Sequence, residues 1–252
     1  MGITTSTLIL VRHGQSEWNA TNQFTGWYDC DLTSQGVEEA SNGAQLIKEA
    51  GLLPDAIYTS LQKRAIRTAD IILEELDCEE IPIQRSWHLN ERHYGDLTGK
   101  DKAAVRKEFG DDQLHAWRRG YNTPPPPISE KNPFNPNNDP QYEGLSDIPL
   151  TECLADVVER LLPYWKKDIL SSLEGGKTVL IVAHGNSLRA LCKYLDAISE
   201  DEIADLNIPT GAPLVYHLNE DGFPSQSMPV LERSLDEEVA RAAAEAVARQ
   251  TH

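Results

Sequence analysis

Two apolar runs far apart in the chain end alike. Leu8 to Gly14 reads LILVRHG and Leu180 to Asn186 reads LIVAHGN. Short continuous apolar runs bounded by polar residues suit strands buried on both faces, the arrangement of a parallel sheet. TLILV from Thr7, AIYT from Ala56 and TVLIVA from Thr178 are three such runs. Helical patterns lie between them. SQGVEEASNGAQLIKEAGL has Thr33 or Ser34 as a cap and Gly51 near its end, and LQKRAIRTADIILEEL puts Ile66, Ala69, Ile71, Leu73 and Leu76 roughly on one side. LTECLADVVERLLPYWKKDIL makes a third helix, kinked or restarted at Pro163. This alternation predicts an α/β fold: a mostly parallel central sheet with helices on both faces.

A chain of 252 residues with 40% hydrophobic content suits one domain spanning 1–252. Residues 121–149, YNTPPPPISEKNPFNPNNDPQYEGLSDIP, have no periodicity and are read as a lid or insertion, because the strand pattern resumes at Thr178. The stretch after Val230 carries only small apolar side chains in SLDEEVARAAAEAVARQTH, so 231–252 is expected to be a mobile, weakly packed tail.

The formal net charge of -17 repels nucleic acid and anionic membranes, and neither is expected as a partner. If the substrate is anionic, the cations that hold it must gather locally. Cys30, Cys78, Cys153 and Cys192 are too dispersed for a disulfide scaffold, and the first apolar run is cut short at Arg12, which argues against a signal peptide. A cytoplasmic location is expected. MGITTS fits a myristoylation pattern without the second signal that stable anchoring needs, and NAT at Asn19 is a sequon that matters only outside the cytosol. Self-association into a homo-oligomer is left open by the sequence.

In open α/β sheets, ligands bind beyond the carboxyl ends of the strands. Two strands of one sheet can therefore bring His13 and His184 to the same edge, with Gly14 and Gly185 leaving room for an anion. The third run ends at Ser60 and opens a helix with Lys63, Arg64 and Arg67. Cations there oppose the helix dipole and make sense beside an anion, although solvated basic side chains are the blander reading. His13, next to Arg12, should be neutral at cytosolic pH and a good nucleophile towards phosphorus. Arg12, Arg64 and a protonated His184 would neutralise the phosphoryl oxygens, and Asn186 is expected to cap the next helix.

The motifs LVRHGQSEWN, FTGWYDCDLTSQG, TSLQKRAIRT, NERHYGDLTGKDK, WRRGY, AHGNSLRAL and LNIPTGAPLVY resemble the cofactor-dependent phosphoglycerate mutases of the histidine phosphatase superfamily. The likeness runs from about Leu8 to about Tyr216. It implies His13 as the phosphorylated nucleophile and Glu91 as proton donor and acceptor. Arg12, Ser16, Asn19, Arg64, His184 and Gly185 are implied around the phosphoryl group, and Thr25, Gly26, Tyr94, Lys102, Arg118, Arg119 and Asn186 as substrate contacts. Lys102, Arg118 and Arg119 also supply the local cations that an acidic chain needs for a small anionic phosphorylated acid.

Trp27, Trp117 and Tyr94 are read as packing residues that also line the pocket. His88 and His93 lack metal-ligand spacing, so both are taken as structural and no metal is expected.

The implied function is glycolytic and gluconeogenic interconversion of 3-phosphoglycerate and 2-phosphoglycerate, with 2,3-bisphosphoglycerate as phosphoryl primer. The alternative within the superfamily is a phosphohistidine phosphatase, or a bisphosphoglycerate mutase or phosphatase. GGKT at Gly175–Thr178 fails as a nucleotide loop, because Ser171 stands where the first glycine belongs and a strand follows.

Overall fold

The computed structural model describes residues 5–249; the myristoylation pattern begins, and the tail ends, outside them. In chain order the elements are β1 (Ser6–Arg12), α1 (Glu17–Ala20), α2 (Ser34–Glu49), β2 (Ala56–Thr59), α3 (Lys63–Glu75), β3 (Ile83–Arg85), α4 (Lys102–Phe109) and α5 (Asp111–Arg119), followed by α6 (Leu154–Tyr164), β4 (Thr178–Ala183), α7 (Gly185–Leu195), β5 (Pro213–Leu218) and α8 (Glu237–Arg249). The strands form one sheet in the order β3-β2-β4-β1-β5. All neighbours are parallel except β5, which runs antiparallel to β1.

The continuous apolar runs are explained by burial on both faces. Leu8 and Leu10 of β1 join Val179 and Ile181 of β4 on one side, packed against Leu161 of α6 and Leu188 and Leu191 of α7. Ile9 and Val11 join Leu180 and Val182 on the other, packed against Ala44 and Ile47 of α2 and Ala69 and Ile72 of α3. Polar residues have no place at the inner positions of such strands. β3 and β5 are not among the runs that stand out in sequence. β3 is a three-residue edge strand, largely exposed, and β5 carries a mixed pattern with His217 exposed.

Thr33 caps α2 by accepting from the Gly36 N–H at 3.1 Å, and Gly51 follows the helix with φ +67°. α6 starts four residues later than the pattern LTECLADVV suggests, with the Asp156 carboxylate accepting from Cys153 N at 2.7 Å. Pro163 lacks an N–H to donate back up the helix, and the α-helical turn gives way to a π turn at Trp165–Ile169 and a 3-10 turn at Leu170–Leu173.

Residues 121–149 contain short 3-10 turns but neither a strand nor an α-helix. Their backbone is held all the same. The Asp96 N–H donates to Pro126 O and the Ile128 N–H to Leu150 O, both at 2.8 Å, and the Tyr142 hydroxyl donates to Trp27 O at 2.9 Å.

The start of the tail is anchored. Arg233 is buried, pairs with Asp196 at 2.5 Å and stacks 4.2 Å from the Tyr216 ring centre. Ala240 and Ala244 of α8 are buried as well, since small side chains let a helix approach closely.

Candidate active site

The β1–β4 register sets Arg12 beside Ala183, so the next residues, His13 and His184, leave the sheet side by side. Their ring centres are 4.9 Å apart, at 61° to each other. Gly14 lets α2 close on this turn: a β-carbon there would lie 2.0 Å from the Gly36 carbonyl oxygen.

His13 Nδ1 lies 2.7 Å from Gly14 O, which can only accept, so Nδ1 carries the proton and Nε2 keeps its lone pair. The Arg64 Nε–H donates to that lone pair at 3.3 Å, and the same guanidinium donates to Tyr28 O and Gly26 O. Burial, reinforced by Arg64 and Arg12, holds His13 well below the ordinary histidine range. The ring is neutral.

His184 departs from expectation. Burial first, then Arg64 and His13, hold it well below the histidine range too, so in this field it is neutral where the motif reading had it protonated. Its Nε2 is hydrogen-bonded to the Ser60 hydroxyl at 2.8 Å, while its Nδ1 has no partner.

A cleft opens beside His13 with Arg12, Arg64, Lys102, Arg118, Arg119 and Arg189 in its lining; Glu91 is the one carboxylate among its lining residues. Asp101 caps α4 by accepting from Ala104 N at 2.8 Å, which sets Lys102 on the first turn. Arg118 and Arg119 end α5, where the helix dipole favours cations. Crowded burial shows in their acidities. Lys102 is lowered to about 7 by burial and by Arg118 and Arg12, Arg118 to about 10 and Arg189 to about 9, again with burial leading. Arg12 Nε, Arg118 Nη1 and Arg189 Nε are buried with no hydrogen-bond partner. Buried donors without acceptors leave hydrogen-bonding capacity that an anion or water can fill.

Glu91 enters from the loop after β3. Its N–H donates to Gln62 Oε1 at 2.8 Å, and its carboxylate accepts from Arg92 N at 2.7 Å and Asn186 N at 3.2 Å. His184 occupies the N-cap of α7, so Asn186 is not the cap as expected but sits inside the first turn, where its backbone N–H aims at Glu91. The Asn186 amide donates to the Tyr94 hydroxyl at 3.2 Å. Burial pushes the Tyr94 pKa up, but Arg92 and Arg118 outweigh it and the net shift is downward.

Every implied site residue lines this cleft except Ser16 and His184. Ser16 is buried as the N-cap of α1, in a reciprocal capping box with Asn19, and His184 is fully buried behind His13. Of the three aromatic residues, only Tyr94 lines the cleft; Trp27 and Trp117 pack behind it. Residues 121–149 contribute nothing to the lining and brace the wall from outside, with Phe134 edge-on to Trp18 and Tyr28.

Gln23, Phe24, Arg189, Asn207 and Ile208 also line the cleft, and sequence reasoning passed over them. Arg189 was readable: it lies one helical turn after Asn186 and donates to its Oδ1 at 2.8 Å. Ile208 was not, since it serves through its carbonyl, which accepts from Arg12 Nη1 at 2.8 Å.

The model of the histidine phosphatase superfamily, branch 1, matches residues 8–229. The chain belongs to the histidine phosphatase superfamily, branch 1. Among curated members of the superfamily, the chain is 57% identical over 247 residues to the 2,3-bisphosphoglycerate-dependent phosphoglycerate mutase of Thermobifida fusca, covering 97% of this chain and 99% of the relative. It is 55% identical over 251 residues to the protein of the same name from Corynebacterium diphtheriae, covering 98% and 99%. Solved structures share the fold. A phosphoglycerate mutase from Bacillus anthracis superposes with TM-score 0.63 at 21% identity, covering 96% of this chain and 98% of that one. YhfR from Bacillus stearothermophilus gives 0.67 at 24%, covering 89% and 98%.

Proposed function

We propose that this chain interconverts 3-phosphoglycerate and 2-phosphoglycerate as a 2,3-bisphosphoglycerate-dependent mutase, through a phosphohistidine at His13. One observation carries the reading. A neutral His13, with its Nε2 lone pair free of a proton, shares a cation-lined cleft with the single carboxylate of Glu91. The names of relatives more than half identical over nearly the whole chain support the same activity.

The residues present fit 2,3-bisphosphoglycerate. Arg12 and Arg64 act on His13, and Lys102, Arg118 and Arg119 add cations to the same cleft, which suits a small acid with several anionic groups. When bound, it supplies the phosphoryl group that charges His13. The chain's own groups do the rest. His13 Nε2 attacks phosphorus, forming the N–P bond as the bond from phosphorus to the donor oxygen breaks. The Nδ1–H bond to Gly14 O holds the ring in line and stabilises the positive charge it acquires. Arg12 and Arg64 take the non-bridging oxygens. When the phosphoryl group leaves His13, the Glu91 carboxylate removes the proton of the attacking hydroxyl, and when the group returns to His13 it gives that proton to the departing oxygen.

The chain reads as one catalytic unit braced by 121–149. Four free, buried cysteines fit a reducing cytoplasm, and among the described residues no helix is long and apolar enough to cross a membrane.

The test is to supply 3-phosphoglycerate with a trace of 2,3-bisphosphoglycerate and measure 2-phosphoglycerate and free phosphate together. Isomer should greatly exceed phosphate, and His13→Ala should form neither above background. Predominant release of phosphate would replace the mutase reading with a phosphatase one.

A further inference from the structure

We propose that Arg160 and Glu152 act as a positioning pair that sets Glu91 for proton transfer; this rests on the reading of Glu91 above. Neither residue lines the cleft, and their side chains are only 7% and 3% exposed. The pair is bidentate, with Arg160 Nε donating to Glu152 Oε1 at 2.6 Å and Nη2 to Oε2 at 3.2 Å.

What sets this ion pair apart is where its remaining hydrogen-bonding capacity goes. Arg160 Nη1 donates to His88 O at 2.7 Å and Trp87 O at 3.3 Å, and Nη2 to Asn90 O at 2.9 Å and Glu91 O at 3.2 Å. Glu152 Oε2 accepts from the His93 N–H at 2.7 Å, and the Glu152 N–H donates to His93 O at 2.9 Å. One guanidinium and one carboxylate therefore grip the backbone on both sides of Glu91. Its side chain is left to face Asn186 N and the cleft.

Local chemistry explains the need. Residues 87–93 form one 3-10 turn, whose bond from Asn90 N goes to Trp87 O, and then run irregularly, so most of their carbonyls find no partners in a helix or sheet ladder. A rigid planar fan of donors satisfies several carbonyls at once, which lysine or an apolar side chain cannot do. A buried ion pair is seldom the most stabilising use of such space, so its worth here lies in geometry. Trp27 Nε1 and the Gln62 side chain also hold the Glu91 backbone, at 2.7 and 2.8 Å. Loss of Arg160 should loosen the carboxylate without freeing it.

The test compares Arg160→Lys, Arg160→Met and Glu152→Gln with Glu91→Gln, using two reactions. One is isomerisation of 3-phosphoglycerate, which needs proton transfer to oxygen. The other is phosphorylation of His13 by 2,4-dinitrophenyl phosphate, whose leaving group needs no proton.

Arg160→Lys should lower kcat for isomerisation about 10- to 100-fold, the scale of a misplaced group, with KM little changed and the aryl phosphate reaction nearly intact. Adding Arg160→Lys to Glu91→Gln should cause little further loss of isomerisation, because both act through one step. Thermal midpoints identify any variant that fails to fold; if Arg160→Met does, the lysine and glutamine variants carry the test.

Equal losses in both reactions, or fully multiplicative losses in the double variant, would overturn the proposal. If Glu91→Gln shows no selectivity between the reactions, the reading of Glu91 falls and the pairing with it. If Glu91→Gln is selective and Arg160→Lys is not, the pairing alone falls.

Discussion

Lys102 carries its charge at the edge of what burial permits. With its ammonium lowered to about 7 by burial and by Arg118 and Arg12, it is mostly neutral at pH 8 when no anion is near. A bound phosphorylated acid favours the charged form and raises that value, so binding takes up a proton and weakens as pH rises through 7. Calorimetry of 3-phosphoglycerate binding at pH 8, in buffers of different ionisation enthalpy, should show uptake of about one proton. Lys102→Arg should abolish the uptake, since a guanidinium stays charged; unchanged uptake would assign the proton elsewhere.

At this scale the sequence revealed residue types better than states. RHG and AHGN marked both histidines, and the cations stood out against an acidic chain. The neutral state of His184 was hidden, because it depends on complete burial beside Arg64 and His13, which are remote in sequence.

The strands were legible for a physical reason: a parallel strand covered on both faces tolerates no polar interruption, so β1, β2 and β4 are continuous apolar words. β3 and β5, at the sheet edges, are under no such constraint. The close contact of α2 with the turn after β1 was not legible either, although it fixes His13. Gly14→Ala would press a β-carbon onto the backbone oxygen of Gly36, where no flexible side chain can yield. A loss of about 3 kcal/mol is expected from urea denaturation, together with loss of His13 phosphorylation. Thr33→Ala removes the cap of the same helix and the hydroxyl's bonds to Gln15, keeps the Gly14–Gly36 contact, and should cost about 1 kcal/mol while leaving kcat near its original value. If the two variants lost activity in proportion to stability, the contact at Gly14 would have no special link to the site.

Across the whole molecule, a net charge of -17 coexists with a cleft whose lining holds several cations and one carboxylate. On the proposed reading, the acidic surface would discourage polyanions while the cationic cleft takes a small one. The Pro-rich segment and the described part of the tail were the hardest parts to read, because they are held by scattered tertiary contacts that leave no periodic trace. Tyr142 and Phe134 hold the first, and Arg233 holds the second. Arg233→Met would leave Asp196 largely buried without its cation, and should cost about 3 kcal/mol by denaturation while His13 phosphorylation persists.

The nucleophile itself is open to direct observation. The protein is exposed to labelled 2,3-bisphosphoglycerate, quenched in alkali, and examined by peptide mapping and phosphorus NMR. The expected label is stable in alkali, labile in acid, carried by His13 on Nε2 and absent from His13→Ala. Label on Nδ1, on another residue, or equally on His13→Ala would contradict the geometry from which the mechanism is built.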